Sequence, residues 1–353
     1  MPEFPALSRI GGGADAAAGL AGAVRAAFAP EGPIAAAVPG FEARPGQLRM
    51  SDAVAGVFAD GGVLLAEAGT GTGKTLAYLV PAVLSRQRVL VSTGTKNLQE
   101  QIFYKDLPVL RDALGVPFSA TYMKGRGNYL CLHRFDAYRD GSAVSGFGAV
   151  DAGFRRTPDE TLYVRLIDEW RRETETGDRA EIEDLPEDLP FWKDISASTE
   201  NCIGTECPRH HECFITRMRQ RAAESDIVIV NHHLLCADAA VRQSAYGEVI
   251  PSCSYAVVDE AHQLEDVATQ YFGLAVSSYR VDDLARDVER TAAAIPGGDR
   301  ELIAGLRDAA DRVRDRARVF FAALQVMRMQ TPGLSGADNR VRVGSPHMAR
   351  MAQ

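Results

Sequence analysis

The sequence contains no run of apolar residues long enough to cross a bilayer, so we expect no transmembrane helix. Its first residues lack a basic segment followed by a compact apolar one, and we therefore expect no signal peptide. Six cysteines are too few for a disulfide scaffold in a chain of 353 residues. The net charge of −8 argues against nucleic-acid binding over the whole surface, so any such binding needs a local basic groove.

Strand and helix patterns alternate in the first third of the chain. The apolar periodicity predicts a helix over 47–59, a short buried strand over Val63–Leu65 and a helix from Lys74. A strand over Arg88–Ser92 and a helix over Asn97–Leu110 follow. Such alternation is typical of a parallel sheet with crossover helices, and it predicts an α/β fold.

The alternation stops between residues 122 and 221 and resumes with two apolar strands, Asp226–Val230 and Tyr255–Val258. An insertion within one sheet domain explains this pattern better than two consecutive domains do. Inside the insertion, the acidic stretch Glu173–Pro190 predicts a solvated loop. The predicted sheet domain therefore comprises residues 34–121 and 222–262, and the insertion comprises residues 122–221.

Two further segments flank this domain. Residues 1–33 have the composition of an irregular or weakly helical leader. After His262, apolar residues recur every three or four positions from Leu302 to Leu324, which predicts an amphipathic helix. We expect residues 263–353 to form a separate helical domain.

A phosphate-binding loop is predicted by the string Glu67-Ala-Gly-Thr-Gly-Thr-Gly-Lys-Thr75, which differs from the usual pattern only by Ala68 at its first glycine. Its backbone N–H groups, at the start of a helix, would hold the phosphates of ATP. Lys74 would contact the β- and γ-phosphates, and the Thr75 hydroxyl would bind Mg²⁺. The residues expected to bind the nucleotide here are Gly69, Gly71, Thr72, Gly73, Lys74 and Thr75.

A second motif, Asp259-Glu-Ala-His262, directly follows an apolar strand. Metal binding and water activation are separate tasks, which explains why two carboxylates are needed. Asp259 would hold Mg²⁺, Glu260 would polarise the attacking water, and His262 would connect the nucleotide site to a nucleic-acid site. Upstream, the amide of Gln47 is able both to donate to and to accept from an adenine edge.

Four cysteines, Cys131, Cys202, Cys207 and Cys213, are candidates for metal ligands. Four thiolates hold either zinc or an iron–sulfur cluster. The wide and irregular spacing, without a C-x2-C pair, favours the cluster, while zinc and unrelated thiols remain alternatives. Cys236 and Cys253 lie beside apolar runs and are expected to be buried small side chains.

Basic residues surround these cysteines and include Lys124, Arg126, Arg134, Arg209, Arg217, Arg219 and Arg221. Cations with an interleaved aromatic residue suit a single strand, because phosphates pair with the cations and bases stack on rings. Solvated arginines on a helix are the alternative interpretation.

Taken together, the motifs resemble those of the iron–sulfur superfamily 2 DNA helicases, the DinG/XPD-like group, and they are most similar to the bacterial DinG type. The matching strings are Arg44-Pro-Gly-Gln47, the phosphate loop, Ser92-Thr-Gly-Thr-Lys-Asn-Leu-Gln-Glu-Gln101, Lys124-Gly-Arg-Gly-Asn-Tyr-Leu-Cys131, the three later cysteines, Asn231-His232 and Val257-Val-Asp-Glu-Ala-His262. They occur in the family's order over residues 41 to about 266.

The resemblance implies a RecA-like motor domain that binds ATP and Mg²⁺, an inserted [4Fe–4S] domain held by the four cysteines, and a helical arch after His262. It implies 5′ to 3′ unwinding of DNA, with loading on single strands, forks and displacement loops, in repair or replication, in the bacterial cytosol and nucleoid. It also places Thr93, Thr95 and Gln99 near the DNA backbone.

The family's second motor domain, with its Ser/Thr-Ala-Thr and Gln-x-x-Gly-Arg-x-x-Arg strings, has no counterpart after His262 in this sequence. Arginines of this kind are worth roughly 10³–10⁵ in rate in other NTPases. We therefore expect the chain as given to bind nucleotide and single-stranded DNA but to hydrolyse and unwind barely. The alternative is a non-catalytic iron–sulfur module that binds nucleic acid and retains nucleotide affinity.

Overall fold

The computed structural model describes residues 14–69, 71–140, 143–145, 148–150, 158–186, 189, 191–197, 202–243, 248–272, 277–294 and 300–330. The chain divides into two compact units, residues 1–272 and residues 273–353. Residues 1–13 and 331–353, which belong to the expected leader and arch, lie outside the described ranges. No helix in the described ranges is long and apolar enough to cross a membrane.

Helices make up most of the regular structure. They are α1 (Ala14–Ala27), α2 (Pro33–Ala37), α3 (Pro45–Asp60), α4 (Lys74–Ser85), α5 (Lys96–Gln101), α6 (Leu107–Leu114), α7 (Leu132–Arg139), α8 (Pro158–Trp170), α9 (Trp192–Ile195), α10 (Phe214–Glu224), α11 (His232–Gln243), α12 (Leu264–Phe272), α13 (Ser278–Ala294) and α14 (Arg300–Gln330). The strands are β1 (Val89–Thr93), β2 (Ala120–Tyr122), β3 (Ala143–Ser145), β4 (Gly148–Val150), β5 (Ile227–Asn231) and β6 (Tyr255–Val258). A π-helical turn over Ile102–Asp106 joins α5 to α6.

A parallel sheet with the strand order β2-β5-β1-β6 forms the centre of the first unit, as the strand–helix alternation predicts. Thr93 pairs with Asn231, and Ser92 pairs with Val258. Because parallel strands share a direction, the residues that follow β1, β5 and β6 meet at one edge of the sheet. The β1 and β5 residues are buried throughout, as expected for strands covered on both faces.

For residues 1–33, predicted to be irregular or weakly helical, the irregular alternative is wrong over the described part, because α1 is a regular helix. Leu20, Val24, Ala27 and Phe28 are buried in the main core together with residues of α3 and α4. Alanine has the highest helix propensity, and the apolar residues recur at helical spacing. The Ala- and Gly-rich composition concealed this pattern.

The strand predicted over Val63–Leu65 is also wrong. These residues form no regular structure, and Val63 and Leu65 are 90% and 93% exposed. A strand exists only where a neighbouring strand supplies its hydrogen bonds, and no strand in the described ranges pairs with this segment. An apolar triplet alone does not reveal whether such a neighbour is present.

Between β2 and β5, which are neighbours in the sheet, the chain forms α7 to α10 and a short antiparallel β3–β4 hairpin. An apolar cluster of its own includes Phe135, Ile167 and Trp192. The acidic stretch is less solvated than predicted, because Asp178 is 1% exposed and Leu185 is buried in that cluster. The acidic composition of this stretch therefore does not indicate which of its residues are buried.

The second unit contains α13 and α14, which pack against each other. Their bounds include the predicted amphipathic segment from Leu302 to Leu324. Arg314 on α14 forms ion pairs with Asp282 on α13 and with Asp311 on its own helix.

Candidate nucleotide site and cysteine region

The phosphate loop leads into α4 through Gly73, which has a φ of 80°. Gln47 on α3 donates a hydrogen bond of 3.0 Å from Nε2 to the Gly73 carbonyl oxygen. A Cβ at Gly73 would lie 2.2 Å from that nitrogen, so this position needs glycine for both its backbone conformation and its packing. Gln47 is 4% exposed, and its amide nitrogen is occupied by the loop. The adenine contact expected for Gln47 stays a prediction.

Lys74 begins α4 and connects the two motifs. Its Nζ lies 3.2 Å from Oε1 of Glu260, although 186 positions separate them in sequence. Both side chains are about one quarter exposed, so water and ligands reach them. The fold thus brings the phosphate-loop cation to the acidic motif, as the sequence predicts.

Three hydrogen bonds fix the position of Asp259. Its backbone N–H donates to the Ser92 carbonyl at 2.8 Å. Its Oδ1 accepts from the Glu260 N–H at 3.0 Å, and its Oδ2 accepts from the Tyr78 hydroxyl at 3.0 Å. The carboxylate is therefore fixed at the carboxyl end of the sheet, beside the start of α4.

Tyr78 is a site residue that the sequence analysis missed. Burial raises the pKa of its hydroxyl well above the ordinary value, and the neighbouring Asp259 charge raises it further. The hydroxyl therefore remains a donor at neutral pH. The available signal was its position four residues after Lys74, which places both side chains on the same face of α4.

Glu260 has a φ of 53°, which is unusual for a residue other than glycine. This left-handed conformation turns the chain sharply after β6 and lets the Glu260 side chain reach Lys74. Its other oxygen, Oε2, lies 3.5 Å from Nδ1 of His262. The His262 side chain is 71% exposed.

The turn after β1 was expected to lie near DNA, and the structure corrects part of that expectation. Gln99 is fully buried, and its Nε2 donates to the carbonyl oxygens of Met123 and Ile229. Thr93 is also fully buried. Both side chains therefore hold the fold together instead of facing a ligand. Thr95 is exposed, and its hydroxyl accepts from the Leu98 N–H at the start of α5.

The basic residues near the cysteines are not all available to a nucleic acid. Lys124 is 2% exposed and is bound by Glu100 and Asp178. Arg134 is buried, and its Nη1 donates to the Ser196 carbonyl at 2.7 Å. Arg217 and Arg221 are exposed on α10. The expected basic surface is thus smaller than the sequence suggests.

The candidate cysteine ligands occupy the ends of helices and turns. Cys131 precedes α7, and Cys213 precedes α10. Burial raises the pKa of the Cys131 thiol, and the nearby charges of Cys207 and Cys213 raise it further. These three residues therefore lie in one region of the fold. Cys202 is exposed. Across the described ranges, no three His, Cys, Asp or Glu side chains are arranged to hold a single metal ion.

The remaining two cysteines lie apart from this region. Cys236 is buried, as predicted, whereas Cys253 is only half-buried and its thiol donates to the Pro251 carbonyl at 3.5 Å. Burial raises the pKa of both thiols.

Comparison with known proteins identifies the group to which these motifs belong. Residues 44–124 match the DEAD/DEAH box helicase family. The chain is 41% identical over 262 residues to the ATP-dependent DNA helicase YoaA of Escherichia coli, covering 74% of this chain and 39% of that protein. It is 37% identical over 277 residues to the ATP-dependent helicase DinG of Mycobacterium tuberculosis, covering 73% of this chain and 40% of that protein.

The chain belongs to the DinG-like DEAD/DEAH-box helicases. A further DinG-like relative, the 3′-5′ exonuclease DinG of Bacillus subtilis, is 34% identical over 240 residues, covering 67% of this chain and 24% of that protein. The chain spans about two fifths of the length of the first two relatives.

Proposed function

We propose that this chain is the nucleotide-binding N-terminal part of an ATP-dependent 5′–3′ DNA helicase. The contact between Lys74 and Glu260 carries this proposal, because it joins the phosphate loop and the acidic motif in one solvent-accessible site. A cation for the phosphates and two carboxylates for metal and water form the set of groups that phosphoryl transfer from ATP to water requires.

Each residue has a proposed task. The loop residues Gly69, Gly71, Thr72 and Gly73 would hold the phosphates with their backbone N–H groups. Lys74 would leave Glu260 to contact the β- and γ-phosphates, and Thr75 and Asp259 would hold Mg²⁺. The released Glu260 carboxylate would then polarise the attacking water. When bound, Mg²⁺ would neutralise charge that develops on the phosphate oxygens.

Single-stranded or forked DNA is the proposed partner. The turn that contains Thr95 lies at the carboxyl end of the sheet, where ligands of parallel α/β sheets bind. The exposed arginines Arg217 and Arg221 on α10 offer phosphate contacts. Strand separation would also need the second motor domain that the resemblance implies, so we propose that the chain alone hydrolyses ATP slowly.

The DNA proposal is tested by fluorescence anisotropy with a labelled single-stranded oligonucleotide and a matched blunt duplex. We expect tighter binding to the single strand, and an affinity that falls steeply as salt rises because counterions are released from the phosphates. Replacing both Arg217 and Arg221 with Gln should reduce the salt slope for the single strand by about 1.4, because each lost phosphate contact removes about 0.7. Equal binding to both forms, or an affinity independent of salt, would contradict the proposal.

We further propose that Cys131, Cys202, Cys207 and Cys213 hold a [4Fe–4S] cluster. The effect of the Cys207 and Cys213 charges on the pKa of Cys131 supports the set, as does the packing of Cys131 and Cys213 against one apolar cluster. Ligands of a cluster stand farther apart than ligands of one ion. This wider spacing is compatible with the lack of a single-ion site in the described ranges. Arg219 carries a positive charge close to Cys202 and Cys213, which suits a group with anionic ligands.

Iron, zinc and acid-labile sulfide are measured on anaerobically purified protein together with its visible spectrum. We expect about four irons and four sulfides per chain. Cys207→Ser should lose the iron and the colour, whereas Cys253→Ser, outside the ligand set, should keep both. One zinc without sulfide, or full iron retention in Cys207→Ser, would refute the cluster and leave the nucleotide site unaffected.

A further inference from the structure

A buried histidine lies between the acidic motif and the turn after β1. His232 begins α11 directly after β5, and its side chain is fully buried. Its Nδ1 lies 2.7 Å from Oγ of Ser92 on the neighbouring strand β1. Burial lowers the pKa of the imidazole, so the ring is neutral at pH 7 and offers one donor and one acceptor nitrogen.

The ring also lies close to the backbone of the acidic motif. The backbone of Glu260 and of Asp259 lies close enough to His232 to oppose the effect of burial on its pKa. His232 Nε2 is buried and makes no hydrogen bond with any described atom. A buried polar atom without a partner is costly, and its retention calls for a reason beyond packing.

Ser92 contacts both groups. Its carbonyl oxygen accepts from the Asp259 N–H at 2.8 Å, while its hydroxyl contacts His232. The next residues along the chain form the turn over 93–95, in which the Thr93 hydroxyl donates to the Thr95 carbonyl at 3.0 Å. A movement of the acidic motif would therefore be transmitted to this turn by Ser92 and by the imidazole ring of His232.

The turn has a second connection to the same motif. The side chain of Gln263, the residue after His262, packs so tightly on Gly94 that a Cβ there would lie 2.2 Å from Gln263 Oε1. The turn over 93–95 is thus connected to the acidic motif twice, through Ser92, which precedes the turn and accepts from the Asp259 N–H, and through Gln263, which packs on Gly94. His262 itself is mostly exposed and makes no comparable contact among the described residues.

We propose that His232 is a positioning residue that couples the nucleotide site to the DNA-binding turn over 93–95. This inference rests on the proposed function and extends it. If Asp259 and Glu260 move when nucleotide binds, Nε2 of His232 would gain the partner that it lacks, and Ser92 would transmit the change to the turn. This role is of the same kind as the one expected for His262, which stays a prediction.

The test measures a ratio of affinities. The dissociation constant for a single-stranded oligonucleotide is determined by anisotropy with and without saturating Mg²⁺-ATP, and the ratio of the two constants is the coupling. For the wild-type chain we expect a ratio of about fivefold, at the lower end of typical coupling between sites. Thermal unfolding of each variant, and its nucleotide affinity without DNA, are recorded in parallel.

Three substitutions test separately the contacts of His232 with Ser92 and with the acidic motif. In His232→Asn the amide replaces Nδ1 and keeps Ser92 as a partner, whereas in His232→Gln the amide replaces Nε2 and faces the acidic motif. Ser92→Ala removes the hydroxyl. Each should lower the ratio to below about twofold while the separate affinities stay within about twofold of wild type, and Ser92→Ala combined with His232→Gln should be no worse than either alone. The control His233→Gln, at the exposed neighbouring position, should retain the full ratio.

The outcomes separate this inference from the proposed function. If the wild-type chain binds both ligands without coupling, or if the variants keep the full ratio, the role of His232 is refuted and the helicase proposal stands. If the variants lose both affinities and stability together with an unchanged ratio, His232 is only structural. If the wild-type chain binds neither ligand, the proposed function fails, and this inference fails with it.

Discussion

The hydroxyl of Tyr78 donates a hydrogen bond of 3.0 Å to Oδ2 of Asp259. The bond joins the second turn of the helix after the phosphate loop to the acidic motif, independently of the contact between Lys74 and Glu260. Both motifs are thus positioned relative to each other before any ligand binds. Such preorganisation reduces the free energy that ligand binding must spend on ordering the site.

Replacing Tyr78 with Phe should weaken the binding of Mg²⁺-ATP about tenfold, because a hydrogen bond to a charged group contributes roughly 1.5 kcal/mol. ATP binding without Mg²⁺ should change little, since the lost bond orients the metal-binding carboxylate. Isothermal titration calorimetry in the two conditions measures both effects. Tyr255→Phe, which removes a hydroxyl bonded to the Phe58 carbonyl, is the matched control. Equal losses with and without Mg²⁺ would refute the assigned role of Tyr78.

Asp106, in the π-helical turn, should make stability depend on pH. Burial raises its pKa to about 6, while Lys105 opposes that rise. A raised carboxyl pKa means that the folded state binds more protons, so the penalty is absent below about pH 4 and complete above about pH 6.

Asp106→Asn should therefore raise the free energy of unfolding at pH 8 by about 1 kcal/mol, a value reduced for screening by solvent at this half-buried position. At pH 4 it should have little effect. Urea unfolding at both pH values measures the difference, with the exposed Asp112→Asn as a control. A stabilisation of the same size at both pH values would show that the charge of Asp106 is not its cause.

An ion pair between Asp136 and Arg209 should hold the cysteine region together. Asp136 Oδ2 accepts from Arg209 Nε at 3.0 Å and Nη2 at 2.6 Å, and Arg209 lies between Cys207 and Cys213 in sequence. Asp136 is on α7, which Cys131 precedes. The pair therefore sets the distance between the first cysteine and the later ones.

In metal-free protein, Asp136→Asn should increase the alkylation rate of Cys207 and Cys213 about fivefold, which corresponds to about 1 kcal/mol of local stability. Mass spectrometry after timed iodoacetamide treatment measures the rate at each cysteine. Although burial opposes it, the hydrogen bonds and charges of Arg209 and Arg171 lower the pKa of Asp136. The stability that this pair contributes should consequently be present at neutral pH and be lost as the pH falls through the lowered pKa. The control Asp140→Asn, at an exposed residue of the same segment, should leave the rates unchanged.

The sequence predicted the parts of the fold that depend on local pattern. The helix after Lys74 and the strands around Val91, Ile229 and Val257 follow from apolar periodicity and their flanking motifs. The structure contradicts the predictions that depend on distant neighbours. Val63–Leu65 has the composition of a strand, yet no described strand pairs with it.

The candidate site shows the same division. Lys74, Asp259 and Glu260 belong to motifs whose spacing identifies them. Tyr78 and His232 contact residues on elements that are far apart in sequence, so their roles do not follow from local pattern alone, although Tyr78 lies one helical turn after Lys74. The family motif placed Gln99 near the DNA backbone, but its amide donates to the carbonyl oxygens of Ile229, in the middle of β5, and of Met123, directly after β2.

The Mg²⁺ dependence of ATP affinity tests the central claim most directly. Calorimetric titrations at zero and saturating Mg²⁺ are compared for the wild-type chain, Asp259→Asn and Lys74→Ala. A shared site predicts that Mg²⁺ strengthens wild-type binding, that Asp259→Asn keeps Mg²⁺-free affinity but loses the strengthening, and that Lys74→Ala loses affinity in both conditions. The same Mg²⁺ strengthening in Asp259→Asn as in wild type, or unchanged affinity in Lys74→Ala, would contradict the claim that the phosphate loop and the acidic motif form one nucleotide site.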